Sequence, residues 1–205
     1  MTDTSVLDAL VTRNIGDIEG ALLHARKLGH ELLDEIAARL RRDLGEDWEA
    51  EADLEDDGNP VKFAKTSWRE PDALLGDGYV FNFNEKPGPN EDTDETWFST
   101  LLNAGPNGAS IAIYLWADSF WAKRRWRKLV QQEANTVEKL LDAGFRQDDD
   151  LWIYIPLVLQ ADELAKGYEQ GNLETALMPV SQVAEVIKLT LPQLEALIER
   201  DRNFE

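Results

Sequence analysis

The chain has 205 residues, 40 of them Asp or Glu and 21 Lys or Arg, for a net charge of −19 at neutral pH. It contains no cysteine, which excludes disulfides, thiolate metal centres, iron–sulfur ligation and cysteine nucleophiles. Its acidity repels phosphate backbones and anionic headgroups, so direct nucleic-acid binding and membrane association are disfavoured, while 43% apolar content is material for one packed core.

The longest apolar run, Leu151 to Leu159, is nine residues and contains Pro156, against the roughly 20 that a membrane-spanning helix needs. The first ten residues carry Asp3 and Asp8 and no base, so the positive region of a secretory signal is not expected. A reducing, cytoplasmic setting is the expectation.

Apolar residues at Ile15, Ile18, Leu22, Ala25, Leu28, Leu32, Ile36 and Leu40 recur every three or four positions and predict a long N-terminal helix. Asp17 and Glu19 come early and Arg39, Arg41 and Arg42 late, the order that complements the helix dipole, and Gly45 is a stop signal. Gly29 marks a kink or a close approach. The apolar stripe has a second reading as a homodimer seam, but only about four heptads are available and Arg39 interrupts them, so packing against the protein's own sheet is favoured. A homodimer remains an expectation of the second rank.

From Trp48 to Leu54, Trp48, Ala50, Ala52 and Leu54 alternate with Glu49, Glu51 and Asp53, the period of a half-buried strand with an acidic outer face. The turn 56–60 leads to a second strand over Val61 to Trp68, and Asp77-Gly78 to a third, in which Tyr79, Phe81 and Phe83 form an aromatic inner face. Residues 86–95 read as a loop. Ile111, Ile113 and Leu115 on one side, with Ala112, Tyr114 and Trp116 on the other, predict a central strand buried on both faces. A helix from about Phe120 to Ala143 ends at Gly144, and Leu151 to Leu159 is a last strand in which Pro156 implies an edge or bulge. Helices broken near Gly171 and Pro179 follow, the last opened by Pro192.

The expected fold class is therefore α/β of the α+β type: two layers, a mostly antiparallel sheet of about five strands, a long N-terminal helix, a helix crossing before the last strand, and a C-terminal helical tail. One domain, 1–205, is expected, with a helical segment 1–45, the sheet and crossing helix 46–160, and C-terminal helices 161–205.

Chemical motifs are sparse. His24 and His30 lie six apart, on different sides of a helix, and do not form a metal pair. Asp53 to Gly58 opens like a calcium-binding loop, but the twelfth position, which should be a bidentate Glu, is Ala64. Asp72, Asp77, Glu85 and Lys86 supply some parts of a magnesium-dependent nuclease, yet Lys86 adjoins Glu85 and the two point to opposite faces of a strand. Gly76 with Gly78, and Gly105 with Gly108, suit turns and match no phosphate-binding loop; no serine stands in a nucleophile elbow. No catalytic residue, metal ligand or cofactor is assigned. The tryptophans with Tyr79, Tyr114 and Tyr154 are material for a small-molecule pocket.

Two charged features remain. Eight carboxylates fall in the twelve residues from Glu46 to Asp57, and on a strand alternate residues stand about 7 Å apart, an interval comparable to phosphate spacing. Glu49, Glu51, Asp53, Glu55, Asp56 and Asp57 thus form a candidate face for a basic protein partner, in the sharpest version a DNA-mimic-like decoy for a nucleic-acid-handling protein. The structural alternative is an acidic edge strand that resists aggregation. The second feature, Lys123, Arg124, Arg125, Arg127 and Lys128 interleaved with Trp126 and preceded by Trp121, is a candidate site for an acidic partner or a phosphate; its alternative is pairing with the chain's own carboxylates. The leading expectation is an acidic, non-enzymatic protein-interaction module, with a metal-dependent nucleic-acid enzyme or phosphate-ligand-binding protein as the second reading.

Overall fold

The structure, a computed structural model, describes residues 4–53, 60–69, 74–75, 78–86, 96–105, 108–116 and 123–203. Helix α1, Thr4–Leu44, is 41 residues long and carries Arg41 and Arg42 in its last turn. Its one departure from helical geometry is Asn14 (φ −116°, ψ 15°), so the predicted kink sits there and not at Gly29. Gly29 instead meets Phe98: a Cβ there would lie 3.4 Å from that residue's N and Cβ. The helix stops at Gly45, whose φ of +107° is a conformation that side chains resist.

Strands β1 (Trp48–Ala52), β2 (Val61–Lys65), β3 (Val80–Lys86), β4 (Ser110–Trp116), β5 (Arg146–Gln147) and β6 (Ile153–Leu157) form one sheet in the order β1-β2-β3-β4-β6-β5, every pair antiparallel. Among the described residues six strands stand where about five were expected, because the two-residue β5 has no hydrophobic alternation to reveal it. It reaches only as far as Tyr154 along β6, and beyond it β6 has β4 as its described neighbour, which is where Pro156 lies. The period of two sorts side chains by face. Trp48, Ala50, Val61, Phe63, Phe81, Phe83, Ile111, Ile113, Leu115, Ile153, Ile155 and Leu157 turn to one side and join the core cluster.

Over that face lie the helices. The C-terminal half of α1 contributes Leu32, Leu33, Ile36 and Leu40, and α2 (Trp97–Leu101) contributes Leu101. The predicted crossing helix is two, α3 (Lys123–Gln132) and α4 (Ala134–Asp142), separated at Glu133, whose φ and ψ of −97° and 27° leave the helical region. Gly144 (φ +122°) follows α4. Helix α5, Ala161–Gln170, ends on Gly171 in the left-handed conformation, and α6, Met178–Arg202, runs 25 residues straight through Pro192. Here the expectation that Pro192 opens a helix is corrected: Pro179 occupies the opening turn. Burial of Ile187, Thr190, Leu194, Leu197 and Ile198 along α6 offsets the roughly 3 kcal/mol that an interior proline costs. The architecture is α+β, with a long N-terminal helix and a C-terminal helical segment. Among the described residues no helix is long and apolar enough to cross a membrane.

Candidate protein-interaction surfaces

Every residue from Ser5 to His24 is exposed. At 1.5 Å per residue this arm of α1 projects about 30 Å. It is not polar: Leu7, Leu10, Val11, Ile15, Ile18 and Leu22 are 37 to 59% exposed. With 100° per residue, Ile15, Ile18 and Leu22 fall within about 60° of arc on the body side of Asn14, and Leu7 and Val11 lie beyond the kink. Ile36 is 18 residues from Ile18, five full turns, so Leu32, Ile36 and Leu40 continue the same stripe. Those three are fully buried against the sheet and α6, and the stripe is therefore one surface covered at one end and bare at the other. The favoured expectation, that the stripe packs on the protein's own sheet, holds for Leu32, Ile36 and Leu40 and is corrected for Ile15, Ile18 and Leu22.

The acidic face is an edge strand, as predicted, but partly compensated. Glu49 and Glu51 turn away from the core, with Glu49 half-buried and Glu51 exposed. Arg69 Nη2 lies 2.7 Å from Glu49 Oε1, and Lys62 stands opposite Glu51 in register. Asp53 closes the strand through its backbone N–H to Pro60 O, 2.9 Å. Glu55, Asp56 and Asp57 lie outside the described residues.

The basic cluster is largely internal in its pairing. Lys123 Nζ is 2.8 Å from Asp150 Oδ2, and Arg127 also pairs with Asp150; these two cations hold the Asp150 carboxyl below its ordinary pKa. Arg125 Nη2 donates to the Asp201 backbone O and lies 3.3 Å from its carboxylate. Asp201, 1% exposed, also accepts from Tyr79 OH at 2.7 Å. Trp126 is a core anchor, stacked 5.6 Å from Trp152, its indole N–H donating to Leu151 O. Arg124 and Lys128 face outward on the exposed side of α3. Trp121 lies outside the described residues.

One arrangement was not legible in the sequence because it needs the register. On the face opposite the core, Glu51, Lys62, Asn82, Tyr114, Tyr154 and Arg146 stand opposite one another in succession, a polar row crossing all six strands. Tyr114 and Tyr154 rings are 5.1 Å apart, and Lys86 Nζ donates to Tyr154 OH at 2.9 Å. Burial, with Asp148 and Tyr154 adding to it, pushes the Tyr114 phenol up to about 12. Tyr79 belongs to the other face, against Asp201 and 5.4 Å below the Arg202 guanidinium, so the three tyrosines do not share a pocket.

A cleft between α1 and the α5–α6 connection is lined by Arg39, Arg42, Tyr168 and Glu174. Arg39, 9% exposed, donates from Nε to Asp43 at 2.9 Å and to Ser181 at 2.8 Å, and pairs with Glu174. Burial works against its charge, and the Asp43 and Glu174 hydrogen bonds outweigh it and raise the Arg39 pKa. Burial likewise opposes the Asp43 charge, but Ser181, Arg39 and Arg42 hold its carboxyl below the ordinary range. The cleft's two guanidinium groups, Arg39 and Arg42, are thus matched by Asp43 and Glu174, and Glu35 adds a further carboxylate to its lining.

Of the nuclease set, Asp72 and Asp77 lie outside the described residues. Glu85 is on β3 opposite Ile111, while Lys86 reaches Tyr154. Among the described residues no three His, Asp or Glu converge as metal ligands. No protein-family model matches the chain, and neither a curated protein nor a solved structure is a match to it.

Proposed function

We propose that this chain is a protein-interaction module: an acidic α+β body carrying an apolar helical arm by which it engages another protein. The observation that carries the reading is the arm. Exposed apolar side chains are ordinary when scattered, but a stripe from Leu7 to Leu22, about four turns of a projecting helix kinked at Asn14, has the form of helix recognition in which residues at i, i+3, i+4 and i+7 anchor a partner. The acidic edge is the second contact of this reading. It would attract a basic protein, and the compensation of Glu49 by Arg69 and the placement of Lys62 opposite Glu51 weaken the finer reading of a DNA mimic.

Capture from the native host, at about 0.1 M salt where surface charges act over roughly 10 Å, separates the two contacts. The full chain, Val11→Glu/Ile18→Glu and Glu49→Lys/Glu51→Lys are immobilised in parallel. Retention lost in the arm variant supports the apolar contact; retention lost with rising salt and with the edge variant supports a basic partner. Equal retention by all three removes both contacts.

A further inference from the structure

We propose that the outward face of α3 is a binding site for a small phosphorylated molecule, with one or two phosphate groups seated among Lys123, Arg124, Arg127 and Lys128. These four line a shallow concavity of about 470 Å³ together with Gln131, a size within the roughly 300 to 1,000 Å³ of small-ligand clefts. The site is independent of the apolar arm and of the acidic edge.

The helix is held so that this face looks out. Trp126 is buried and stacked on Trp152, and Arg125 reaches Asp201. Lys123, Arg124, Arg127 and Lys128 are exposed and stand in two columns, 123 with 127 and 124 with 128, each pair four residues apart. Like charges at that spacing repel, and cations in an opening turn that holds no acid oppose the helix dipole. Internal pairing relieves only part of this. Lys123 and Arg127 share the single carboxylate of Asp150. Asp148 turns its Oδ1 to the backbone N–H groups of Asp150 and Trp152, at 3.0 and 2.9 Å. Arg124 has no ion pair among the described residues. In a chain of net charge −19, α3 thus holds repelling cations together on one surface, and an anion between the two columns removes the repulsion.

Charge and length select the occupant. From Lys123 to Lys128 the lining runs about 7.5 Å along the helix axis, the length of one or two phosphates. At physiological salt charges act over about 8 Å, so a compact anion seated there feels these cations and little of the acidic body. A nucleic-acid strand would run past the patch onto that body and be repelled. A phosphate offers more charge and more acceptor oxygens than a lone carboxylate, and the guanidinium groups of Arg124 and Arg127 supply paired donors for it. The Gln131 amide, one turn on from Arg127, is placed for a polar group on the rest of the ligand.

Calorimetric titration of the full chain with pyrophosphate and with inorganic phosphate, at near-physiological salt, tests the site. Pyrophosphate is expected to bind with a Kd below about 1 mM and more tightly than phosphate. Arg124→Gln/Lys128→Gln, at two exposed positions, should weaken it at least about tenfold with the melting temperature unchanged. Asp150→Asn removes the internal competitor and should tighten it about threefold, whereas Lys166→Gln, on α5 and outside the site, should leave it unchanged. Absence of binding up to about 10 mM pyrophosphate overturns the site, as does binding indifferent to Arg124→Gln/Lys128→Gln. An equal loss with Lys166→Gln means that net charge alone is being read, and overturns it too. Affinity unchanged or lowered by Asp150→Asn overturns the placement of the anion beside that carboxylate. A single strand of about 16 nucleotides that binds more tightly than pyrophosphate, and loses this with Arg124→Gln/Lys128→Gln, overturns the small-molecule reading in favour of a nucleic-acid contact.

Discussion

Arg39 carries its charge almost out of water, and it does so because three elements bring it acceptors: Asp43 one turn on, Glu174 before α6 and Ser181 on α6. Arg39→Ala leaves Asp43 without its nearer cation in a partly buried site, with Ser181 and the more distant Arg42 still in place, and unfolding in urea is expected to show a loss of about 3 kcal/mol, the lower end for a broken buried pair because Glu174 is exposed. Arg39 was read in the sequence as an interruption of a heptad; that it is a tie between α1 and α6 depends on contacts 135 and 142 residues away, which no local pattern encodes. Since the folded pKa of Asp43 is lowered, its contribution is present above the unfolded carboxylate value of about 3.9 and is lost as pH falls through the folded value. The stability gap between the wild type and Asp43→Asn should therefore close on acidification below about pH 4. A gap that widens there would contradict the assignment. Tyr114 gives the opposite sign: its raised phenol pKa, about 12, stabilises the fold below the unfolded value of roughly 10, and that contribution is lost as pH rises through the folded one. Ultraviolet titration should show an ionisation near 12 that Tyr114→Phe removes; an unchanged curve would place that titration elsewhere.

At the scale of elements, the overhang of α1 was present in the sequence as arithmetic. A sheet of about five strands is roughly 24 Å wide and its strands of five to seven residues about 20 Å long, whereas the predicted helix from Ile15 to Leu44 is some 45 Å. A body that size cannot cover such a helix, whichever way it crosses. Periodicity finds a stripe and is blind to whether anything lies over it, which explains why Ile15, Ile18 and Leu22 were grouped with Leu32 and Ile36. Strands β1 to β4 were legible because one face of each is apolar or aromatic; β5, with Arg146 and Gln147, offers no such contrast. The break at Glu133 has no signal in the sequence, since neither Gly nor Pro marks it. The arm also carries Gly16 and Gly20, at neither of which a Cβ would meet anything within 4 Å. Each glycine costs an exposed helix about 1 kcal/mol relative to alanine. Gly16→Ala/Gly20→Ala is thus expected to slow amide exchange over residues 5–24 by an order of magnitude or so, while the urea midpoint of the body stays put. A shift of that midpoint would mean that arm and body unfold together.

For the whole molecule the balance lies between distributed repulsion and local pairing. One core cluster joins Leu32 on α1 to Ile198 on α6 through strands β1 to β4 and β6, so the body should unfold as a unit. Its surface ion pairs, such as Lys166 with Glu163 and Lys188 with Glu185, have both partners well exposed, and water and salt screen such pairs so that they add little to stability. Against them stands an excess of 19 negative charges on a body whose radius of gyration is about 16 Å. At 0.01 M salt the screening length is roughly 30 Å and charges across the whole body repel; at 0.15 M it is about 8 Å and only neighbours interact. Contacts shorter than 4 Å remain inside either length, so salt removes more repulsion than attraction. Stability in urea should accordingly rise between these two conditions. Glu49→Lys/Glu51→Lys, which reduces the charge to −15, should flatten that rise if its acids act through the general field. A fall in stability with salt would instead mean that the specific pairs around Arg39, Asp150 and Asp201 outweigh the repulsion, and would shift the acidic surface from a cost of the fold to part of its support.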